Sequence, residues 1–178
     1  AFLKKLKGTA QKALVLKPAD LILNDNTDEV FNKDINEVIG EVDGDILYLD
    51  PPYNQRQYAT NYHMLETIAK YDDPEIHGKT GLREYQNQKS LYCSRPQVKK
   101  TFEDLILRAN ARYIFLSYNN EGLMTFDDIK KIMSLRGKYG YFTKEYGRFK
   151  ADKSENRNYS ANNTVEYLHY VICDSKTL

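Results

Sequence analysis

The stretch 46-ILYLDPPYNQRQY-58 places an aspartate, two prolines and a tyrosine directly after four apolar residues. The apolar run predicts a buried strand. Pro51 and Pro52 hold φ at about −65° and carry no N–H group. We therefore expect a stiff loop at the end of a strand, in which the Asp50 carboxylate and bare carbonyl oxygens are held close together.

Outward from this stretch, apolar strand patterns alternate with amphipathic helix patterns. Alternation of this kind predicts an α/β fold with a mostly parallel sheet, helices on both faces and a single domain over residues 1–178. No helix pattern separates the last two strands, so the final strand is predicted to be an antiparallel edge or insert. Strands are predicted at 21–25, 46–49, 112–118, 140–146 and 164–173, and helices at 27–40 (with Thr27 as its cap), 61–71, 96–110 and 125–137 (with Thr125 as its cap).

The carboxyl ends of the predicted strands indicate where a ligand binds, because open α/β sheets bind ligands there. This places 24–26, 50–53 and 117–121 on one rim. A partly desolvated Asp50 and the Pro51 carbonyl could accept both hydrogens of an aromatic amine, which favours a localised lone pair on its nitrogen. Tyr53 could stack on the ring. The alternative is an aspartate that ends a strand and caps the next turn.

Composition sets the broad class of protein. Hydrophobic residues make up 41% and charged residues 29%, which is typical of a globular domain. No apolar run approaches the roughly 20 residues of a membrane span, and the first residues lack a secretory signal. Cys93 and Cys173 are far apart and have no metal-ligand spacing, so we interpret them as reduced packing residues of a cytoplasmic protein.

Positive charge is concentrated in one half of the chain. The net charge is +1, yet residues 82–160 contain 16 Lys and Arg against 9 Asp and Glu. A basic half with interleaved tyrosines suits phosphate contact and base stacking. An unevenly charged solvated surface is the alternative.

The stretches 49-LDPPYNQRQY-58 and 115-FLSYNNEG-122 resemble the Dam-type adenine-specific DNA methyltransferases, especially restriction–modification members with a DPPYN-x-RQY signature. The resemblance extends from about Leu21 to Cys173. It implies a Rossmann-like fold and methyl transfer from S-adenosylmethionine to the 6-amino group of adenine in a specific DNA sequence. It also implies that a flipped adenine meets Asp50 and Pro51 and stacks on Tyr53, with Pro52 completing the catalytic motif.

The same resemblance implies a glycine-rich turn that holds the methionine part of the cofactor. None of the nine glycines forms such a turn after a predicted strand. We therefore expect the catalytic domain to be incomplete on its N-terminal side. The resemblance assigns Asp25 and Asn26 to the cofactor's adenosine, with a simple turn as the alternative, and brings Asp50 close to the cofactor's amino group.

Further candidates concern nucleic acid, and no metal site is predicted. Arg56 and Tyr58 could contact a phosphate or wall the pocket, and Asn119 and Asn120 could bind the base or the cofactor, or form a turn. The implied partners are double-stranded DNA with a flipped adenine and a cognate restriction endonuclease in a bacterial cytoplasm. A non-catalytic DNA-binding fragment and an amine methyltransferase acting on RNA or protein are the alternatives. The predicted phosphate contacts are Lys79, Arg83, Arg95, Arg148 and Lys150.

Overall fold

The computed structural model describes residues 8–13, 15, 17–22, 25, 27–147 and 163–174, which belong to two units, 1–32 and 33–178. In the first unit a short 3₁₀ helix spans Gly8–Gln11. The strand predicted at 21–25 is wrong for the residues described there. Leu21 and Ile22 lie outside any strand and are 83% and 92% exposed. An apolar pair forms a strand only where a neighbouring strand and a covering layer are available, and the described part of the first unit contains no other strand.

The second unit contains the other elements. The predicted strands near 46, 112, 140 and 164 are confirmed, and so are the helices near 61, 96 and 125, with shorter bounds. The helices are α1 (Ile35–Val38), α2 (Tyr58–Asn61), α3 (His63–Lys70), α4 (Val98–Arg108) and α5 (Phe126–Met133), and the strands are β1 (Asp43–Leu49), β2 (Asn110–Asn119), β3 (Gly137–Gly147) and β4 (Asn163–Cys173).

Two helix starts show why one cap was predicted correctly and the other was not. Thr125 caps α5: its Oγ1 accepts from the N–H of Asp128 at 3.2 Å, and the Asp128 carboxylate accepts from the N–H of Thr125 at 3.0 Å. The helix predicted from Thr27 instead begins after Asp34, whose side chain accepts from Asn36 N at 2.9 Å. Val30 is 94% exposed, so no packing stabilises the upstream turns.

The four described strands form one mixed sheet in the order β1-β2-β4-β3. β1 and β2 are parallel, whereas β4 is antiparallel to both β2 and β3. The prediction of an antiparallel insert is therefore confirmed, but β4 is not an edge. Of the four described strands, β1, β2 and β3 run in the same direction and β4 runs opposite to them, in agreement with the prediction of a mostly parallel sheet whose last strand is antiparallel. β3 and β4 pair antiparallel, as strands without a crossover helix do.

Helices cover one face of this sheet. Leu49, Ile114, Leu116 and Val171 point from the strands into a core shared with α4 and α5. The prediction of helices on both faces is wrong for the described part of the chain, since the opposite face remains open there. None of the helices in the described ranges combines the length and apolarity needed to cross a bilayer.

Candidate active site

The parallel pair β1 and β2 brings two predicted segments to one rim. Leu49 is in register with Leu116, so both strands end at the same edge of the sheet. The loops that follow are joined by a hydrogen bond from the N–H of Leu123 to the carbonyl of Tyr53 at 3.0 Å. The structure thus brings 50–53 and 117–121 together, as the sequence predicts.

The loop after β1 presents its polar groups to solvent. Asp50 is exposed, Pro51 and Pro52 are half-buried, and the Tyr53 side chain is 41% exposed. The prediction of a partly desolvated Asp50 is wrong for the described structure, because nothing covers this end of β1. The carboxylate and the aromatic ring are consequently both open to a planar ligand.

Gln57 fixes the loop that follows β1 to the segment before α4, a role that sequence reasoning missed. Its Nε2 donates to the carbonyl of Ser90 at 3.2 Å, and its Oε1 accepts from the N–H of Ser90 at 2.8 Å. Nearby, Cys93 Sγ donates to the carbonyl of Arg56 at 3.4 Å, and both Cys93 and Cys173 are free thiols. Gln57 lies within the RQY signature, and this motif was the feature of the sequence that could have indicated its role.

Tyr118 holds the turn that supports Tyr53, and this role was also missed. The side chain is 1% exposed, and its hydroxyl oxygen accepts from the N–H groups of Leu123 and Met124 at 3.1 and 3.3 Å. Burial raises the pKa of Tyr118 above its ordinary value, although these two hydrogen bonds oppose the rise. Gly122 packs on this ring, where an added Cβ would lie 2.0 Å from Cε1 of Tyr118.

Asn119 and Asn120 adopt the turn-forming alternative. Asn119 Oδ1 accepts from Glu121 N at 3.0 Å, and Asn120 Oδ1 accepts from Val165 N at 3.1 Å. Asn120 also donates its backbone N–H to the Val165 carbonyl at 3.0 Å, which ties the turn to β4. Both asparagines line an open pocket with about 430 Å³ of empty space, together with Phe126, Tyr167 and His169.

An aromatic cluster forms the floor of this pocket. The ring of Phe126 lies 4.9 Å from Tyr141, 5.3 Å from Tyr167 and 5.5 Å from His169. The Tyr139 hydroxyl is 2.7 Å from His169 Nδ1. Burial raises the pKa of Tyr139 to about 12 and lowers the pKa of His169 to about 4, so the imidazole is neutral at pH 7.

The low pKa of His169 predicts a loss of stability in acid. Above pH 6.5, the ordinary pKa of histidine, His169 is neutral in both the folded and the unfolded protein. Between pH 6.5 and about 4 only the unfolded protein takes up the proton, so the folded protein loses stability as the pH falls. His169→Gln should reduce the fall in unfolding free energy between these pH values by up to about 3 kcal/mol. Urea unfolding at pH 4.5, 5.5, 6.5 and 7.5 measures this. His77→Gln, which changes an exposed imidazole, is the control, and equal slopes for all three proteins would contradict the assignment.

Tyr58 and Arg56 follow the loop 50–53 in the chain. Tyr58 is 53% exposed and meets Tyr62 edge to face, with ring centroids 5.8 Å apart. Burial, followed by the negative charge of Asp50, raises the pKa of Tyr58. Arg56 is exposed, and its N–H donates to Asn54 Oδ1 at 2.9 Å. This geometry favours Tyr58 as a pocket wall and leaves the Arg56 guanidinium open to a phosphate.

The predicted phosphate contacts differ in their surroundings. Arg83 is buried, and its guanidinium makes two hydrogen bonds to the Asp72 carboxylate at 3.1 and 2.5 Å. That pair lowers the pKa of Asp72 and braces the segment before α4, so Arg83 has an internal partner. Lys79 and Arg95 are exposed. Arg148 and Lys150 lie outside the described residues.

The residues assigned to the cofactor lie in different parts of the chain. Asp50 lies at the rim, Asp25 belongs to the first unit, and Asn26 lies outside the described residues. No glycine-rich turn follows a described strand. In the described ranges no group of His, Cys, Asp or Glu could hold a metal ion. Of the residues assigned to the amine and the cofactor, the described rim therefore holds Asp50 and the loop 50–53.

Comparisons with known proteins agree with this geometry. The family model of the D12 class N6 adenine-specific DNA methyltransferases matches residues 1–132. The chain is 54% identical over 169 residues to the type II methyltransferase M.NlaIII of Neisseria lactamica, covering 95% of this chain and 50% of the relative. It is 42% identical over 174 residues to the type II methyltransferase M.FokI of Planomicrobium okeanokoites, covering 96% of this chain and 26% of the relative.

A third relative is M.CviAII of Paramecium bursaria Chlorella virus 1, which is 37% identical over 172 residues, covering 96% of this chain and 50% of the relative. The chain thus spans half or less of the length of these relatives. No solved structure matches it significantly. Family membership implies a methyl donor as co-substrate. The matched model covers most of the chain, including the DPPY loop and the turn that holds it, and so the chain belongs to the D12 class of N6 adenine-specific DNA methyltransferases.

Proposed function

We propose that this chain provides the amine-binding and catalytic part of a restriction–modification methyltransferase that uses S-adenosylmethionine to methylate adenine in a specific DNA sequence. The observation that carries the proposal is the loop 50–53 at the end of β1, held by the bond from Leu123 to Tyr53 and by the Gln57–Ser90 pair. The named activity of the type II relatives supports it.

The chain's own groups account for recognition of the amine. The Asp50 carboxylate and the Pro51 carbonyl accept the two N6 hydrogens, which localises the lone pair on nitrogen and orients it. Tyr53, whose ring is accessible, stacks on the base. S-adenosylmethionine, when bound, supplies an electrophilic methyl group. Water takes the proton that the methylated amine then releases.

The DNA side of the proposal rests on exposed groups around the rim. The target adenine must leave the duplex to reach Asp50, because its amine is inaccessible inside the stack. Arg56, Lys79 and Arg95 are exposed and are proposed to contact phosphates. Tyr58 walls the pocket, whereas Asn119 and Asn120 shape the turn after β2. A separate endonuclease and a cytoplasmic location in a bacterium complete the proposed system.

Analysis of the methylated product tests the function. A hybrid enzyme would carry these residues in place of the matched part of the Neisseria lactamica relative. With labelled S-adenosylmethionine, the hybrid should place the label in N6-methyladenine of double-stranded DNA. Label recovered in RNA, in protein or in another DNA base would contradict the proposal.

A non-catalytic DNA-binding role is the second candidate, because no glycine-rich turn is present among the nine glycines. Calorimetric titration of the 178-residue chain with S-adenosylmethionine separates the two candidates at the level of this chain. Binding would support independent catalysis. DNA binding without cofactor binding would favour the non-catalytic role for the chain alone.

Removal of one exposed charge tests the DNA contacts. Arg95→Gln should weaken binding of the 178-residue chain to all DNA sequences equally and reduce the dependence of log K on log salt by about 0.9. Fluorescence anisotropy at four salt concentrations measures this. Arg112→Gln is the matched control, because Arg112 is exposed near the start of β2, at the opposite end of the strand from the rim. An unchanged slope for Arg95→Gln would exclude Arg95 as a phosphate contact.

A further inference from the structure

The residues that follow the loop 50–53 are held by a stretch that comes much later in the chain. The side-chain amide of Gln57 donates to the carbonyl of Ser90 at 3.2 Å and accepts from the N–H of the same residue at 2.8 Å. It thus satisfies both backbone groups of Ser90, as a neighbouring strand would. One position earlier, the carbonyl of Arg56 accepts from the thiol of Cys93 at 3.4 Å. We call these three hydrogen bonds, which join residues 33 and 37 positions apart, the Gln57 clamp.

The far side of the Gln57 clamp belongs to the packed core. Ser90 caps a 3₁₀ helix (Leu91–Cys93), and its Oγ accepts from the N–H of Tyr92 at 3.2 Å. Tyr92 and Cys93 are both buried, and the Tyr92 hydroxyl donates to Asn36 Oδ1 at 2.8 Å. Buried side chains have few alternative positions, because protein interiors are close-packed. The clamp therefore ties a surface loop to a part of the structure that cannot easily shift.

The near side of the clamp is the loop that presents Asp50. This carboxylate is exposed, and its prolines carry no N–H group with which to bond the loop to its surroundings. A second tie is the bond from the N–H of Leu123 to the carbonyl of Tyr53 at 3.0 Å. The loop is thus fixed where it leaves β1, at its middle by Leu123 and at its end by Gln57.

The same clamp sets the position of Tyr58. Gln57 is the residue before α2, which begins at Tyr58, and its side chain makes no capping bond to that helix. The Tyr58 ring meets Tyr62 edge to face, with centroids 5.8 Å apart. After burial, the negative charge of Asp50 contributes to the raised pKa of Tyr58, so the phenol lies near the carboxylate. Movement of Gln57 would therefore disturb both the loop and the wall of the site.

We propose that Gln57 is a positioning residue of the amine site. It does not contact the amine; through the clamp it orients the loop so that the Asp50 carboxylate and the Pro51 carbonyl can accept the two amine hydrogens. The inference rests on the proposed function, because this orientation matters only if the loop binds an amine. A displacement of about 1 Å can lower the rate of a reaction about 10²-fold. Loss of the clamp should consequently lower kcat, whereas a purely structural role would change stability and leave kcat intact.

Gln57→Met tests the positioning role, because methionine keeps the length of glutamine and can form neither hydrogen bond of its amide. In the hybrid enzyme, kcat should fall at least about tenfold, with KM for S-adenosylmethionine and for DNA within about twofold. Gln88→Met is the matched control, since Gln88 is an exposed glutamine two positions before Ser90, and its kcat should remain within about twofold. In the 178-residue chain, the Ser90 amide should exchange hydrogen at least about fivefold faster in Gln57→Met.

Gln57→Glu separates the two bonds of the amide. Glutamate can accept from the Ser90 N–H but cannot donate to the Ser90 carbonyl, so its kcat should lie between that of the unsubstituted hybrid and that of Gln57→Met. Gln88→Glu is the control for the added charge. If circular dichroism shows that Gln57→Met is unfolded, the glutamate variant decides, and its kcat should still fall below that of Gln88→Glu.

The kinetic constants distinguish failure of the positioning role from failure of the proposed function. An unchanged kcat in the folded Gln57 variants, or a higher KM with kcat unchanged, would overturn the positioning role while the hybrid still methylates adenine. Failure of the unsubstituted hybrid to methylate adenine would overturn the proposed function, and the role of Gln57 with it.

Discussion

Asp50→Ala is expected to lower the rate of adenine methylation by the hybrid enzyme at least about 10³-fold. The substitution removes the carboxylate that we propose accepts a hydrogen from the target amine, and loss of one preorganised charged partner costs about this much. DNA affinity should remain within about twofold, because Asp50 is an exposed residue at the rim and no hydrogen bond joins its side chain to the described part of the loop. Asp50→Asn keeps one acceptor oxygen, so its methylation rate should lie between that of the unsubstituted hybrid and that of Asp50→Ala.

The matched control is Asp45→Ala. Asp45 is also exposed and lies on the same strand, about 16 Å before Asp50 at the rise of an extended strand. Transfer of labelled methyl groups to DNA and anisotropy of labelled DNA provide the two measurements. Turnover retained by Asp50→Ala, or lost equally in Asp45→Ala, would remove Asp50 from the reaction.

Gly122→Ala is expected to destabilise the chain by about 1 to 3 kcal/mol and to weaken the support of the loop 50–53. The added Cβ would lie 2.0 Å from Cε1 and 2.7 Å from Cζ of Tyr118, and this ring cannot easily move because it is buried and its hydroxyl accepts two backbone hydrogen bonds. Displacement of the turn would lengthen the bond from Leu123 to Tyr53.

Urea unfolding with Gly44→Ala as control checks the prediction for Gly122. Nothing lies within 4 Å of a Cβ added at Gly44, so that variant should change stability by less than about 1 kcal/mol. In the hybrid enzyme, Gly122→Ala should also lower the methylation rate, because Tyr53 would lose its anchor. Equal stability of Gly122→Ala and Gly44→Ala would show that the Tyr118 ring can move aside, which would contradict the proposed support of the loop.

Much of the local structure was predictable because its causes are local. The apolar run before Asp50 forms β1, and the two prolines follow it on the rim. The capping box of Thr125 and Asp128 starts α5, since both partners lie within one turn. The proximity of the DPPY loop to the turn after β2 was also predictable from the sequence, because neighbouring parallel strands end at the same edge of a sheet.

The missed features depend on residues distant in sequence. Gln57 reaches Ser90 across 33 positions, and no local pattern marks that contact. The hydroxyl of Tyr118 accepts from residues five and six positions later, which requires a particular turn rather than a particular period. Apolarity alone predicted a strand at 21–25, but Leu21 and Ile22 are exposed and unpaired in the described structure.

By itself, the sequence determined which groups stand at the end of β1, because aspartate, two prolines and tyrosine restrict both the backbone and the side chains that it presents. Only the tertiary structure decided which groups hold that loop and which surfaces are left open. Strand order places β4 inside the sheet, and side-chain alternation then sends one set of apolar residues into the core and the other to the face opposite α4 and α5. A strand's two faces are equally apolar in the sequence here, and what covers each is settled only by the elements that pack on it.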